Sequence, residues 1–381
     1  MNDNKGGEQK LEEKENNNSI NSKVAIVSIF IFIGLYSFLI FYARSKQRST
    51  FFQPDAEMLH PVPQDFKEGR YKGISYWYLD CFGPLKQTIL FFHGSTGNIS
   101  YNDPIIYFAK KYEFNLLMID YRGYGGGAIA PPNPLKDRDE KGIGKKVKEG
   151  GGRKGDDKIK NTSQKGVKGE ASAAPSSFQP TEASLYEDAQ NAYEFLTIQE
   201  KISPSTIIVW GNSLGGLAAS YVASINNGTN IGKKDKDKNK EKDSEKKPIS
   251  STSNEKKQLV KQQAVGKLIL WATFATPGAI LAAYEGKDLS KVEKILYYSV
   301  KPFLYKMNIE GNLTKVKSPT MILHSKTDEV ISFKENALVN FKQLSKNITP
   351  TNLKFLEISG FHARPVLTSE MWIELLDFLN K

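Results

Sequence analysis

Apolar residues fall into three kinds of run along the chain. The first is continuous: "VAIVSIFIFIGLYSFLIFYA", residues 24–43, has no charge and no polar face. At about 1.5 Å per residue, a helix of that length spans roughly 30 Å, the hydrocarbon thickness of a bilayer. The second kind is short, β-branched or aromatic, and bounded by glycine or polar residues. "TILFFHG" (88–94), "NLLMIDYRGYG" (115–125), "STIIVWG" (205–211), "GKLILWATF" (266–274), "PTMILHSK" (319–326) and "NLKFLEIS" (352–359) each predict a buried strand. The third kind repeats at helical spacing. Ile105, Phe108, Ala109 and Tyr112 follow an Asp103-Pro104 start; Leu185, Ala189, Ala192 and Leu196 follow Thr181, a capping residue; Trp372, Leu375, Leu376 and Leu379 share one face near the end. Strands alternating with helices from Phe66 onward predict an α/β fold, a doubly wound and mostly parallel sheet covered by helices. In such sheets functional groups gather beyond the carboxyl ends of the strands.

This pattern divides the chain into a polar tail (1–23), a transmembrane helix (24–43), a linker (44–65) and one domain (66–381) interrupted at about 130–178 and 228–263. A cleaved signal peptide fits the apolar run less well, because its leader is long and partly acidic and "FYARS" lacks a small-x-small cleavage pattern. Lys10, Lys14 and Lys23 before the span balance Arg44, Lys46 and Arg48 after it, so the positive-inside count ties and assigns no orientation. Asn227 and Asn347 head sequons that permit glycosylation.

The net charge is +11, and its location decides its meaning. Residues 135–171 hold 12 Lys or Arg against 7 Asp or Glu, and residues 229–262 hold 11 against 6, so the rest of the chain is nearly neutral. Both stretches lack the apolar periodicity that buries a core, and their composition reads as solvated loop insertions. A polybasic clamp for anionic lipid is the sharper reading, weakened by the interspersed acids. Neither carries interleaved aromatics, so no nucleic-acid partner is expected. The lone cysteine, Cys81, permits no intrachain disulfide.

"GNSLGG" carries the chemistry. Ser213 stands between Gly211 and Gly215 where a strand gives way to a helix, the place at which a sharp turn exposes a hydroxyl. Gly211 and Gly215 are expected to face each other where a Cβ would collide. A serine hydroxyl needs a base oriented by a carboxylate. Of the four histidines, His60 lies in a proline-flanked connector, His93 ends an early strand and His324 lies within one, whereas His362 follows the last strand at the correct edge. Asp328 ends the preceding strand and gives the chain order Ser, Asp, His; Glu329, expected to point elsewhere, is the alternative acid. Asp120 also ends a strand, but it precedes Ser213 and its neighbours "YRGYG" suggest a turn-stabilising role. The Leu214 amide and, from the loop after "FFHG", the Ser95 amide are the expected oxyanion donors, the glycine before Ser95 letting the backbone approach. Read blandly, "HGSTGN" is a glycine-rich turn. No metal or organic cofactor is expected, since no ligand cluster occurs at metal-binding spacing.

In this order, "FFHGSTGN", "DYRGYG", "GNSLGG", "KTDEV" and "GFH" resemble the α/β-hydrolase superfamily over residues 66–381. More narrowly they are similar to the membrane-anchored bud-emergence-protein-like hydrolases, which also place one amino-terminal membrane helix before the domain. That resemblance implies an α/β-hydrolase fold and a serine hydrolase acting through Ser213, His362 and Asp328. Both insertions depart from the subgroup. The first leaves the catalytic edge and the second the opposite edge. Residues 279–308 fall where the superfamily tends to carry a cap, whose Leu, Tyr and Phe content could line an acyl pocket or simply pack on the sheet. With the bilayer as partner through residues 24–43, the expected substrate is an acyl ester or thioester, of a lipid or an S-acylated protein. A peptidase or amidase would use the same residues. A non-catalytic scaffold would be expected to have lost one of them.

Overall fold

The computed structural model describes residues 5–80, 82–83, 86–128, 178–228, 263–277, 295, 298–362 and 364–381. Cys81, nearly all of both charged insertions, and residues 279–294, 296 and 297 of the expected cap lie outside the described residues. Along the chain come α1 (Lys5–Phe51), β1 (Gln53–Pro54), β2 (Lys67–Tyr71), β3 (Ile74–Leu79), β4 (Thr88–Phe92), β5 (Thr96–Gly97), α2 (Asp103–Lys111) and β6 (Asn115–Asp120). There follow α3 (Glu182–Glu194), β7 (Ile207–Asn212), α4 (Gly215–Ile225), β8 (Lys267–Trp271), α5 (Ile309–Leu313), β9 (Thr320–Ser325), α6 (Leu338–Leu344), β10 (Leu353–Phe361), β11 (Arg364–Val366) and α7 (Ser369–Asn380).

Among the described residues nine strands form one sheet in the order β11-β10-β9-β8-β7-β4-β6-β3-β2. The six central strands pair in parallel, and β11, β3 and β2 complete the edges antiparallel. From β4 the chain moves outward to β6 and then returns to β7 on the other side of β4, so the order reverses there. Such a reversal leaves a crevice beyond the carboxyl ends of the flanking strands, here β4 and β7.

Strand side chains alternate between two cores, as the pleat requires. Leu90, Phe92, Val209 and Leu268 join one core with residues of α3 and α4, whereas Ile89, Phe91, Trp210 and Ile269 join the other with residues of α2 and α7. Burial on both faces is why these strands read as unbroken apolar runs. Helix starts follow local chemistry: Thr181 Oγ1 accepts the Ser184 amide at 3.1 Å while Ser184 Oγ accepts the Thr181 amide at 2.8 Å, a reciprocal cap on α3.

Residues Ser22–Phe51 of α1 are long and apolar enough to cross a membrane, by length and composition. The expected linker, 44–65, differs from its reading. The helix continues through Phe51; Gln47, Phe51 and Phe52 are buried, and the Phe51 ring packs 5.5 Å from that of Phe274. Gln47 and Phe51 are four residues apart and so share one helical face, which Arg48, Ser49 and Thr50 between them do not interrupt. After Phe52, β1 pairs in parallel with β5.

Candidate active site

Ser213 sits immediately after β7 with φ of +52°, a left-handed conformation that non-glycine residues rarely adopt. Such a backbone costs on the order of 1–3 kcal/mol and persists only where its surroundings enforce it. Here the Ser213 amide donates to the Trp271 carbonyl on β8 at 2.9 Å, and its carbonyl accepts the Gly216 amide at 3.0 Å. A Cβ on Gly211 would lie 2.3 Å from the Gly215 carbonyl oxygen, as the expected collision requires. A Cβ on Gly215, however, would lie 2.0 Å from the Phe92 carbonyl oxygen, so that glycine is demanded by the neighbouring strand β4 and not by Gly211. Both obstacles are backbone and cannot swing aside.

The structure brings Ser213, His362 and Asp328 together although 149 and 34 positions separate the bonded pairs. His362 Nε2 is 3.2 Å from Ser213 Oγ and its Nδ1 is 2.8 Å from Asp328 Oδ2. Since a carboxylate only accepts, Nδ1 carries the proton and Nε2 is left to accept from the serine. Asp328 Oδ1 in turn accepts the amides of Val330 and Ile331 at 3.0 and 2.7 Å. Burial works against its charge, but the hydrogen bonds from His362 and Ile331 outweigh it and hold the Asp328 carboxyl below its usual range. His324, one strand position before Ser325, donates Nε2 to the Ile331 carbonyl at 2.8 Å and comes within 3.5 Å of Asp328 Oδ2. Burial lowers its pKa and keeps it neutral.

His362 follows directly on β10, whose penultimate residue, Gly360, has φ of +89°. The Gly360 carbonyl accepts hydroxyls of Ser325 and Thr327 at 2.6 and 2.9 Å, tying this end of β10 to the loop that carries Asp328. Glu329 corrects its reading: its Oε2 accepts the backbone amide of His362 at 2.9 Å. The sequence carried no signal for this, because the partner is a main-chain group in a turn formed only by the tertiary fold.

His93 Nδ1 is 2.8 Å from the Gly94 carbonyl. The carbonyl and N–H of one trans peptide point in opposite directions, so this bond turns the Ser95 amide away from His93. The Ser95 carbonyl is held by the Gln53 amide at 2.9 Å and the Tyr124 hydroxyl at 3.0 Å. At the end of β6, Asp120 accepts the amides of Ile99 and Gly126 at 2.8 and 3.0 Å, and the Tyr121 hydroxyl donates to the His93 carbonyl at 2.9 Å. The motif "DYRGYG" thus braces the loop after β4, and Gly94 rests against Ser213. A Cβ at Gly94 would come no closer than 3.6 Å to Ser213 Cβ, an ordinary contact, so close approach does not itself demand this glycine.

Ser213, His362, Ser95 and Leu214 line one cavity of ≈ 460 Å³, with Thr50 and Phe51 of α1 in its wall. Leu214 precedes the first turn of α4, where amides lack intrahelical acceptors. A neighbouring cavity of ≈ 550 Å³, bounded by Tyr107, Tyr112 and Trp372, shares Ile105 and Trp271 with the first. Of the other histidines, His60 pairs with Asp103 at 2.9 Å beside the connector. Among the described residues no group of three His, Cys, Asp or Glu is placed to hold a metal ion.

No protein-family model matches the chain. It is 21% identical over 222 residues to the uncharacterized protein YfhR of Escherichia coli O157:H7, covering 56% of this chain and 60% of that protein. It is 20% identical over 206 residues to its counterpart in strain K12, covering 52% and 55%. The chain therefore spans little more than half the length of the curated relatives it matches. Among solved structures it superposes on the Pyrococcus furiosus esterase Pf2001 with a TM-score of 0.52 and 13% identity, over 87% of this chain and 97% of that one. The sheet order, its reversal at β4 and this likeness make the fold an α/β-hydrolase fold.

Proposed function

We propose that the chain is a membrane-anchored serine hydrolase that cleaves acyl ester or thioester bonds, of a lipid or an S-acylated protein, in the manner of the bud-emergence-protein-like hydrolases. One observation carries the reading: a serine held at positive φ at the carboxyl edge of the sheet, hydrogen-bonded through His362 to a buried Asp328. Ser213 Oγ attacks the acyl carbonyl while its proton passes to His362 Nε2. Asp328 holds the imidazole in the required tautomer and stabilises the imidazolium. The carbonyl oxygen becomes an oxyanion, for which the amides of Leu214 and Ser95 are the proposed donors. As the tetrahedral intermediate collapses, His362 returns the proton to the leaving alcohol or thiol. Water then attacks the acyl-enzyme by the same route, releasing the acid and restoring Ser213. The adjoining aromatic cavity supports an acyl substrate, since it extends the apolar wall beyond the volume around Ser213.

The test is covalent labelling of the detergent-solubilised full chain with a fluorophosphonate probe, beside Ser213→Ala and His362→Ala. Labelling of the parent and of neither variant is expected. A folded parent that resists the probe would overturn the proposal. Labelling would then license a comparison of thioesters, lipid esters and peptides.

A further inference from the structure

The apolar run 24–43 is a ruler for depth, and part of the domain is fastened to it inside its apolar length. The Tyr36 hydroxyl donates to the Ser299 carbonyl at 2.7 Å, and its ring meets that of Phe303 edge-on at 6.2 Å. Nearer the domain, the Arg44 guanidinium lies 5.5 Å from the centre of the Tyr305 ring. Gln47 then exchanges two hydrogen bonds with the Tyr305 backbone, Nε2 to the carbonyl at 2.9 Å and Oε1 from the amide at 2.8 Å. These contacts run in step along α1, so the segment 299–305 follows the helix from mid-span to its end.

Tyr36 precedes Ala43, the last residue of the apolar run, by seven positions, which is about 10 Å of helix. A tilt of about 20° shortens this by less than about 1 Å. Ser299 and Phe303 therefore lie within the depth that residues 24–43 require of hydrocarbon. The surface there matches that environment: Ile295, Tyr298 and Phe303 are 69%, 66% and 45% exposed. Apolar side chains grouped on a surface mark a contact, and the acyl chains that surround Tyr36 are continuous with this group. Lys301, in the same stretch, holds its ammonium 5.9 Å from the centre of the Tyr298 ring, a cation–π contact that offsets part of the cost of a charge at this depth, and its stem is long enough to turn toward the headgroups.

We propose that Ile295 and residues 298–303 are membrane-embedded as a second contact, entering the same leaflet as the anchor and seating the Ser213 cavity on the bilayer surface. The inference rests on the membrane-anchored reading above. Its consequence is geometric. Thr50 and Phe51, in the cavity wall, follow Ala43 by seven and eight residues. They stand about 10–12 Å beyond the hydrocarbon, a few Å outside a headgroup layer that is about 5–8 Å deep on each side. An acyl group drawn from the bilayer thus has only that short distance to travel along the anchor to reach the cavity wall.

The experiment uses the full chain with Cys81→Ser and one new cysteine at a time, carrying an environment-sensitive nitrobenzoxadiazole label, in phosphatidylcholine vesicles brominated along their acyl chains. Phe38→Cys, on the exposed face of the span, reports the anchor; Ile295→Cys and Phe303→Cys report the proposed contact. Thr351→Cys, exposed at the opposite edge of the sheet just before β10, is the aqueous control. Loss of fluorescence at 38, 295 and 303, but not at 351, is expected. Quenching at 38 alone leaves the anchor standing and overturns this proposal, as does equal quenching at 351 or a contact of 295 and 303 with a second copy. No quenching at 38 overturns the anchor reading, and the proposal with it.

Discussion

His362 and Asp328 meet at 2.8 Å on the loops after β10 and β9, while His93 and Asp120 approach to 3.8 Å at the ends of β4 and β6. The two pairs share residue types and one edge of the sheet, yet their chemistry differs. In the first, Asp328 is satisfied by two amides and the imidazole; burial works against its charge, but the imidazole and the Ile331 amide hold its pKa down, and His362 keeps one nitrogen for Ser213. In the second, burial lowers His93 to about 4 and raises Asp120 to about 7, against the pull of the Ile99 and Gly126 amides on Asp120. His93 spends Nδ1 on the Gly94 carbonyl, and among the described residues none hydrogen-bonds its other nitrogen. A histidine–carboxylate pair becomes a proton carrier only where one nitrogen stays open to a reacting group; closed in, the same pair becomes scaffolding.

The strongest way to break this contrast is to remove the open pair's members. Ser213→Ala or His362→Ala should lower kcat on a nitrophenyl acyl ester by on the order of 10⁶. Asp328→Asn, which hands His362 the wrong tautomer, should cost about 10⁴. All three should keep the parent's melting temperature within a few degrees. Comparable losses from Asp120→Asn, with Asp328→Asn active, would reverse the assignment of the two pairs. His93→Gln should cost less, on the order of 10², because misaiming one proposed oxyanion donor, the Ser95 amide, weakens a step that the proposed triad would still perform.

The unequal legibility of the two pairs has a physical origin. Ser213, Asp328 and His362 each follow an apolar strand, and chain order with strand direction was enough to single them out. Asp120 was legible as a turn-stabilising residue from its neighbours "YRGYG", but its partners, like those of His93, Tyr121 and Tyr124, are mainly backbone carbonyls and amides, which leave no trace in residue identity. The same holds for Glu329 on the His362 amide. The central strands were legible because burial on both faces makes them continuously apolar. β2, "KEGRY", was not, since it lies exposed at the sheet edge and neither alternates nor clusters. Nor was the extension of α1 to Phe51, since residues 44–50 are largely polar and only packing against the domain fixes their helix.

Titration sharpens the comparison further. The unfolded chain protonates His93 near pH 6.5, but the native state resists until about pH 4. Stability from this group is therefore complete above pH 6.5 and declines as pH falls toward 4. Asp120 acts with the opposite sign: native Asp120 keeps its proton from 3.8 up to about 7, so its stability contribution declines as pH rises across that interval. Between pH 4 and 6.5 folding merely moves one proton from His93 to Asp120, and the pair adds no slope. His93→Gln uncovers the aspartate. The stability of the parent relative to that variant should then rise by about 1.4 kcal/mol per pH unit from pH 4 to 6.5. Denaturant melts at four pH values measure it, and parallel curves would mean that His93 is not held neutral by the fold.

The smallest expected effect is the most discriminating about the acid. Glu329 adjoins Asp328, and its carboxylate touches the main chain of His362, not the ring. One exposed hydrogen bond contributes about 0.5–1.5 kcal/mol. Glu329→Ala should therefore lower kcat by about 3–10-fold, with KM unchanged, by loosening the turn that presents the imidazole. Glu329→Gln retains an acceptor oxygen and should recover most of that loss. An acid that orients the ring behaves otherwise, because Asp328→Asn keeps the shape and still loses the tautomer. Equal damage from both Gln and Ala at 329, approaching that of Asp328→Asn, would make Glu329 the orienting carboxylate.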